Sequence, residues 1–477
     1  MTTTQDRAPR PPQMPRLLAA AGPALAAYHH QFGTMPEITG PELISALDTA
    51  QLSGRGGAGF PAGRKIASVT GGKPAVVANG AEGEPLSRKD AFLLTEAPHL
   101  VLDGLELAAK AVGADDIFLY LPARVMAAVT HALDERRAAR LDRRQPTVVE
   151  APNTFVAGEE SALIRRIEGG PALPRDRTIV TAISGVRGRP TLVHNVETLA
   201  HIALIARFGP RWFRSVGDRD EPGSMLVTLS GAVTKSGVLE VPTGTLLADL
   251  IERSGATDPK AVRAVLAGGY HGTWISASAF DTTPASGVGI VHAVGTGECG
   301  LSRTAAIADY LANQSARQCG PCRIGLPRLA HLLDKLAHGR VDNTCIREIH
   351  RVVNLVEYLK LSLRHHNLNR RAIFEFNINR QYADADFVMN TSPAASTFGK
   401  RHNSLAREHV PGADNGMSGE WNLASGRVNP QPSENVWSIF SCFGIRRENE
   451  DCLREIHLTS DLHLIVVADT FGLRKDG

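Results

Sequence analysis

Cysteine is scarce in this chain: six in 477 residues, too few for a disulfide framework, and two of them stand as C-x-x-C at Cys319 and Cys322. A reducing, cytoplasmic setting is the expectation. Long apolar runs are missing as well; none reaches the roughly 20 residues that cross a bilayer, so no direct membrane span is expected. Neither charge sign is in excess. Fifty-two Lys and Arg against 49 Asp and Glu leave a net +3, which argues against nucleic acid as a partner. No G-x-x-x-x-G-K-[ST] occurs, which removes a P-loop phosphotransferase, and no nucleophile-and-base pattern suggests hydrolysis. Arg7, Arg10 and Arg16 before LLAAAGPALAA imitate a signal peptide, but Pro23 interrupts the apolar stretch, and a lead-in helix is expected there instead.

What remains is a chain long enough for two to four domains, 43% hydrophobic and 21% charged, the make-up of an ordinary globular protein. Its most distinctive stretch is GRGGAGFPAGRK, from Gly54 to Lys65, with five glycines and three cations in twelve residues. Such a composition lets backbone N–H groups approach a phosphate closely; an ordinary flexible surface loop is the competing reading. Gly54, Gly56 and Gly59 satisfy G-x-G-x-x-G. That fingerprint belongs after a strand, yet the preceding PELISALDTAQLS has the apolar spacing of a helix.

After the loop the pattern alternates. IASV after Lys65 opens a helix, PAVVAN is a strand ending at Asn79, and a helix follows from Val101 to Val112. Strand DIFLYL from Asp116, a helix from Ala123 to Leu141, strand TVVEA from Thr147 and a helix from Ser161 to Ile167 complete the series. Alternation of this kind predicts an α/β fold with a parallel sheet, and ligands then collect beyond the carboxyl ends of the strands. SVGDRDEPGS reads as a linker, two strands and a helix follow it, and from Ser302 the chain turns helical around the C-x-x-C. Beyond about residue 363 the composition shifts, with eleven of the 17 asparagines lying there. One short echo, CIREIH at Cys345 and CLREIH at Cys452, is either a duplicated fragment or chance.

Three further blocks accompany the glycine loop: NGAEGEP at Asn79, AGEESALIRRIEG at Ala157 and PTLVHNVETLAHIA at Pro190. In this order the four resemble the flavin-bearing, NADH-oxidising subunit of respiratory NADH:quinone oxidoreductase and its relatives in soluble NAD-reducing hydrogenases and formate dehydrogenases. The resemblance runs from roughly residue 40 to 335. It implies a Rossmann-like FMN and NADH domain over 41–215 behind an N-terminal extension of residues 1–40. It also implies a β-grasp, ubiquitin-like module (SLBB-like) over 222–293, a small helical iron–sulfur bundle over 300–360, and a tail of unknown fold over 361–477.

The same resemblance assigns roles. Gly54, Arg55, Gly56 and Lys65 lie around FMN; a solvated lysine is the plain alternative for Lys65. Phe60 stacks on NADH, where a loop phenylalanine is otherwise a core plug. Asn79 and Glu82 face the flavin and Glu84 faces NADH, although Ala81 replaces an aspartate. Gly158, Glu159 and Glu160 open a helix, a position where acidic residues are commonly dipole partners. By resemblance Glu160 lies beside both flavin and nicotinamide as the catalytic candidate, where it can repel the 2′-phosphate of NADPH. Arg177 takes a nucleotide-side lysine's place, and Asn195 and Thr198 are FMN ligands, with His194 replacing an asparagine. Ser68 and Val180 stand where relatives carry phenylalanines.

Relatives hold a [4Fe–4S] cluster on four cysteines. Here Cys319 and Cys322 survive, Ala316 occupies one ligand position, and Cys299 and Cys345 would have to complete the set. A zinc site, a redox disulfide and two cysteines without a cluster are the other readings. The function implied is hydride transfer from NADH to FMN, with electrons passed on, directly or through a [4Fe–4S] cluster, to a quinone-linked or other acceptor by way of a partner subunit or a small electron-carrier protein. The alternative is a catalytically silent homologue serving in binding or assembly.

Overall fold

Four short strands, each followed by a helix that returns the chain to its start, build the first part of the molecule. A computed structural model of the chain describes residues 13–175, 179–255, 261–285, 287–340, 344–345, 347–349 and 351–352. These divide into two compact units. The first holds the described residues up to Ser230, with Lys235–Leu250 and most of Pro284–Ile290; the second holds Gly231–Thr234, the described part of Ile251–Thr283, and those from Val291 onward. The expected tail over 361–477 lies outside the described residues.

In the first unit the order is α1 (Leu25–Phe32), α2 (Gly40–Ala50), α3 (Ala62–Ala67), β1 (Ala75–Asn79), α4 (Lys89–Glu96), α5 (Pro98–Val112), β2 (Asp116–Pro122), α6 (Ala123–Ala138), β3 (Thr147–Ala151), α7 (Glu160–Ile167), β4 (Thr191–Asn195) and α8 (Val196–Phe213). The sheet order is β3-β2-β1-β4, and every pairing is parallel. Val76 and Ala78 of β1 and Leu192 of β4 face a large core shared with α2, α5 and α8. Ala75, Val77 and Val193 turn to the other face, against Leu163 and Ile164 of α7. This period-2 split of apolar residues, buried on both sides, is what a helix-covered parallel sheet requires.

The strand order carries the functional consequence. From β1 the chain crosses to β2 and β3 on one side, then returns to place β4 on β1's other side. The order therefore reverses between β1 and β4, and a crevice opens beyond their carboxyl ends. Asn79 and Asn195 are register partners at that point.

Two expectations need correcting. α3 begins at Ala62, so Lys65 lies within the helix rather than ahead of it. Residues from Gln13 onward are not an appended extension: Leu17, Tyr28 and Phe32 join the large core. Arg16 donates to the carbonyls of Phe213 at 2.9 Å and Trp212 at 3.0 Å. Its own backbone N–H and that of Leu17 reach Glu240, each at 2.8 Å.

β5 (Ser224–Gly231) and β6 (Gly237–Pro242) form the antiparallel hairpin expected after the linker, and α9 (Leu247–Arg253) follows. In the second unit β7 (Val262–Ala267) pairs antiparallel with β8 (Thr273–Ser276) and β9 (Ile290–Gly295). α10 (Gly300–Asn313) packs on α11 (Leu326–Ala337) through Ala305, Ala308, Leu329 and Leu333. The span expected as a β-grasp module holds β5 to β9 and α9.

α5 and α8 touch backbone to backbone. A Cβ on Gly104 would lie 1.9 Å from the Leu199 carbonyl oxygen. Gly104→Ala is therefore expected to cost about 3 kcal/mol, at the upper end for overpacking, in a urea titration of the full chain. A variant as stable as the parent would refute this packing.

Candidate functional site

The glycine loop closes on itself and leans on the start of α8. Gly54 N–H donates to the Phe60 carbonyl at 3.0 Å, and Ala62 N–H to the Leu52 carbonyl at 2.8 Å. Arg55 N–H donates to Thr198 Oγ1 at 2.9 Å. A Cβ on Gly56 would stand 3.2 Å from Asn195 Cβ; one on Gly57, whose φ is +94°, would stand 2.7 Å from Val288 Cγ1. The loop is thus a cradle that side chains would fill. Arg55's guanidinium donates to the Pro222 carbonyl at 3.3 Å, and burial lowers its pKa, opposed by Glu197 and Glu221. Phe60, at the loop's closing end, is 50% exposed, not a core plug.

Lys65 pairs with Glu160 Oε1, and Thr181 Oγ1 donates to Glu160 Oε2 at 3.1 Å. The carboxylate at the start of α7 is therefore held by a cation from α3 and a hydroxyl from the loop before β4. Close by, His194 is 4% exposed. Burial, with Lys65 adding to it, pushes its pKa down to about 3, so the imidazole is neutral, and its Nε2 has no partner among the described residues.

Glu159 and Glu82 do different work from Glu160. Glu159 caps α7, accepting from Ser161 N–H at 2.8 Å and Ala162 N–H at 2.9 Å. Glu82 is buried and accepts from Ser87 Oγ at 2.6 Å, Asp90 N–H at 3.0 Å, Ala91 N–H at 3.2 Å and Arg124 at 2.9 Å. Its carboxylate anchors the start of α4. Glu84 is half-buried on the same loop.

The two strand-end asparagines are each held twice. Asn79 donates through Nδ2 to the Gly158 carbonyl at 2.9 Å and accepts at Oδ1 from Ala81 N–H at 3.1 Å. Asn195 caps α8, accepting from Glu197 N–H at 2.9 Å, and donates to Asp90 Oδ2 at 2.7 Å. Behind it lies a buried ionic group: Lys89 Nζ sits 2.8 Å from both Asp90 Oδ1 and Glu197 Oε2. Burial works against the Lys89 charge, but Asp90 and Glu197 outweigh it and raise its pKa. Burial also pushes Asp90 up to about 6, with Lys89 opposing and Glu82 and Glu197 adding to the rise.

The structure thus brings Gly54, Arg55, Gly56, Lys65, Asn79, Gly158, Glu160, Asn195 and Thr198 into one linked set around the β1 and β4 ends. Arg177 lies outside the described residues. Lys89, Asp90 and Thr181 were not singled out from the sequence. A charged Lys-Asp pair directly before apolar AFLL was the available signal, since buried charges must be paired.

In the second unit Cys319 and Cys322 approach to 3.3 Å between sulfurs. Their shared hydrogen bond pushes Cys319 down to about 6 and pushes Cys322 up. Cys345 packs in the helical core, and Ala316 is buried. Among the described residues no three His, Cys, Asp or Glu side chains gather as a metal site. Two thiols are half the set that a [4Fe–4S] cluster needs; Cys442 and Cys452 lie outside the described residues.

Comparison with known proteins gives two family matches. Residues 47–204 match the Nuo51 FMN-binding domain, and residues 302–361 match the NADH-ubiquinone oxidoreductase-F iron-sulfur binding region. The chain is 30% identical over 343 residues to the second F-type subunit of the NADH-quinone oxidoreductase of Rhizobium meliloti, covering 66% of this chain and 81% of the relative. It is 31% identical over 320 residues to the F-type subunit of the same enzyme in Aquifex aeolicus, covering 62% and 75%. The NADP-reducing hydrogenase subunit HndC of Solidesulfovibrio fructosivorans is 30% identical over 350 residues, covering 68% and 71%. Among solved structures, an NAD+-reducing [NiFe]-hydrogenase in the H2-reduced state superposes with TM-score 0.61 at 30% identity; the match spans 67% of this chain and 58% of that one.

Glu82→Ala is expected to leave buried donors at the start of α4 unpaired, at about 1–3 kcal/mol of stability. Urea unfolding reads this directly; unchanged stability would show that the Glu82 carboxylate does not anchor the helix.

Proposed function

Because the chain belongs to the family of NADH-quinone oxidoreductase F-type subunits, we propose that its β1 and β4 strand ends hold FMN, that NADH delivers hydride there, and that the electrons pass to a redox partner subunit or small carrier protein. The observation that carries this reading is the convergence of four sequence-distant segments on one switch point: the glycine loop, Asn79 with its followers, the start of α7, and Asn195 with Thr198.

The residues fit the cofactor. The glycine cradle excludes side chains, Lys65 supplies a cation, and the unpartnered His194 Nε2 and Arg55 Nε are buried polar atoms of the kind a bound ligand satisfies. FMN, when bound, supplies the hydride acceptor. This chain's own part is to bind, orient and exclude water. Lys65 and the loop N–H groups would hold phosphate or ring oxygens. Phe60 offers an exposed face for stacking. Val180, 65% exposed, and its neighbour Ile179 offer apolar surface but no ring.

Glu160 is fixed by Lys65 and Thr181 at the edge of this set. A carboxylate so placed repels a 2′-phosphate, which favours NADH over NADPH. Residues 302–361 match an iron-sulfur binding region, where Cys319 and Cys322 would supply two of the thiolate ligands of a [4Fe–4S] cluster, and the electrons pass on to the partner. Among the described residues no helix is long and apolar enough to cross a membrane, and a cytoplasmic setting belongs to the same proposal. The comparisons do not favour a catalytically silent module.

The test uses the full chain, purified and supplied with FMN, mixed anaerobically with NADH. Rapid bleaching of the flavin absorbance is expected; a chain that takes up no FMN, or whose flavin NADH leaves oxidised, contradicts the proposal. Glu160→Gln should retain FMN yet slow bleaching on the order of tenfold or more, the signature of an interaction lost at the reacting centre. Gly56→Val, which drives a branched side chain into Asn195, should be isolated colourless; full flavin occupancy would refute the loop's role.

A further inference from the structure

Each strand-end asparagine has its amide orientation decided by its neighbours. An asparagine amide has an oxygen with two lone pairs and a nitrogen with two N–H groups. In Asn195 the oxygen faces the start of α8, taking Glu197 N–H at 2.9 Å, while the nitrogen gives one N–H to Asp90 at 2.7 Å. Glu197 N–H and Asp90 Oδ2 thus set the same orientation from opposite sides. In Asn79 the nitrogen gives one N–H to the Gly158 carbonyl and the oxygen takes Ala81 N–H. Each amide thus retains a second N–H, at register-paired positions of β1 and β4.

We propose that Asp90 is a positioning residue which fixes Asn195 as a hydrogen-bond donor, so that Asn79 and Asn195 together present paired N–H groups to acceptor atoms of the cofactor. This rests on the FMN reading above and deepens it: the acceptors are the carbonyl and imine atoms of an isoalloxazine edge, or phosphate oxygens. Asp90 is itself held. Lys89 binds its other oxygen at 2.8 Å and is anchored by Glu197, whose Oε1 accepts Leu226 N–H at 2.9 Å. Asp90 N–H in turn donates to Glu82 at 3.0 Å. An aspartate locked on three sides does not rotate away from Asn195. Its buried location strengthens the charge-assisted bond relative to one in water.

The test is a double-mutant cycle on FMN binding, read by quenching of FMN fluorescence on titration with the deflavinated full chain. Asp90→Ala and Asn195→Ala should each weaken binding at least tenfold, and the double variant should bind no more weakly than the worse single one. Asp90→Asn keeps the shape but has a single acceptor oxygen, which the Lys89 ammonium claims, and turns N–H groups toward Asn195, so it should weaken binding about as much as Asp90→Ala. Multiplying losses in the double variant, or parental affinity in Asp90→Ala or in Asp90→Asn, would each overturn the positioning role while leaving the FMN reading intact. A parent chain that binds no FMN would overturn both. Should Asp90→Ala fail to fold in the urea assay, Asp90→Asn takes its place in the same cycle with the same expected pattern.

Discussion

A lysine only 4% exposed along its side chain cannot stay charged inside a protein unless anions meet it there, and Lys89 is met by two. That constraint ties the site together. Asp90 comes from the same helix start, Glu197 from the first turn of α8, and between them they clamp the segment after β1 to the segment after β4. Replacing Lys89 leaves two buried carboxylates without their cation, which costs about 3–5 kcal/mol. The strand ends therefore stay side by side, and Asn195, Thr198 and the glycine loop above them inherit fixed positions.

Around this clamp, carboxylates of similar appearance are sorted by burial and partners. Glu82 anchors α4 and Glu159 caps α7, so both are spent on holding the frame. Glu160, one residue on, points to Lys65 and Thr181 at the partly open edge. A three-residue GEE block thus supplies the Asn79-accepting carbonyl of Gly158, a helix cap and the candidate for contact with the reacting groups. Neutral His194, buried against Lys65, adds an imidazole that carries no competing charge.

Much of the fold was legible because buried parallel strands and amphipathic helices write different periods into a sequence. PAVVAN, DIFLYL and TVVEA are all strands, and the helices between them fall within a few residues of expectation. The four blocks were legible through their order, which resembles that of the flavin-bearing subunit family; taken singly, acidic residues at a helix start read as dipole partners. What escaped notice depends on tertiary pairing. Nothing local says that Lys89 and Glu197, 108 residues apart, share a bond, or that Glu82 faces inward while Glu160 does not. The N-terminal segment escaped for the same reason: Arg16 reads as part of an imitation signal peptide until the carbonyls at the end of α8 surround it. In the helical region the spacing shows Cys319, Cys322 and Ala316, but not which other thiols meet them.

The central claim is that FMN lies at the β1 and β4 carboxyl ends, within reach of both asparagines. A crystal structure of the full chain with FMN bound tests it most directly. The account predicts flavin acceptor atoms at hydrogen-bond distance from Asn79 Nδ2 and Asn195 Nδ2, with the phosphate or ring edge against the glycine loop. A flavin seated elsewhere, with both amide nitrogens facing only protein, would contradict it.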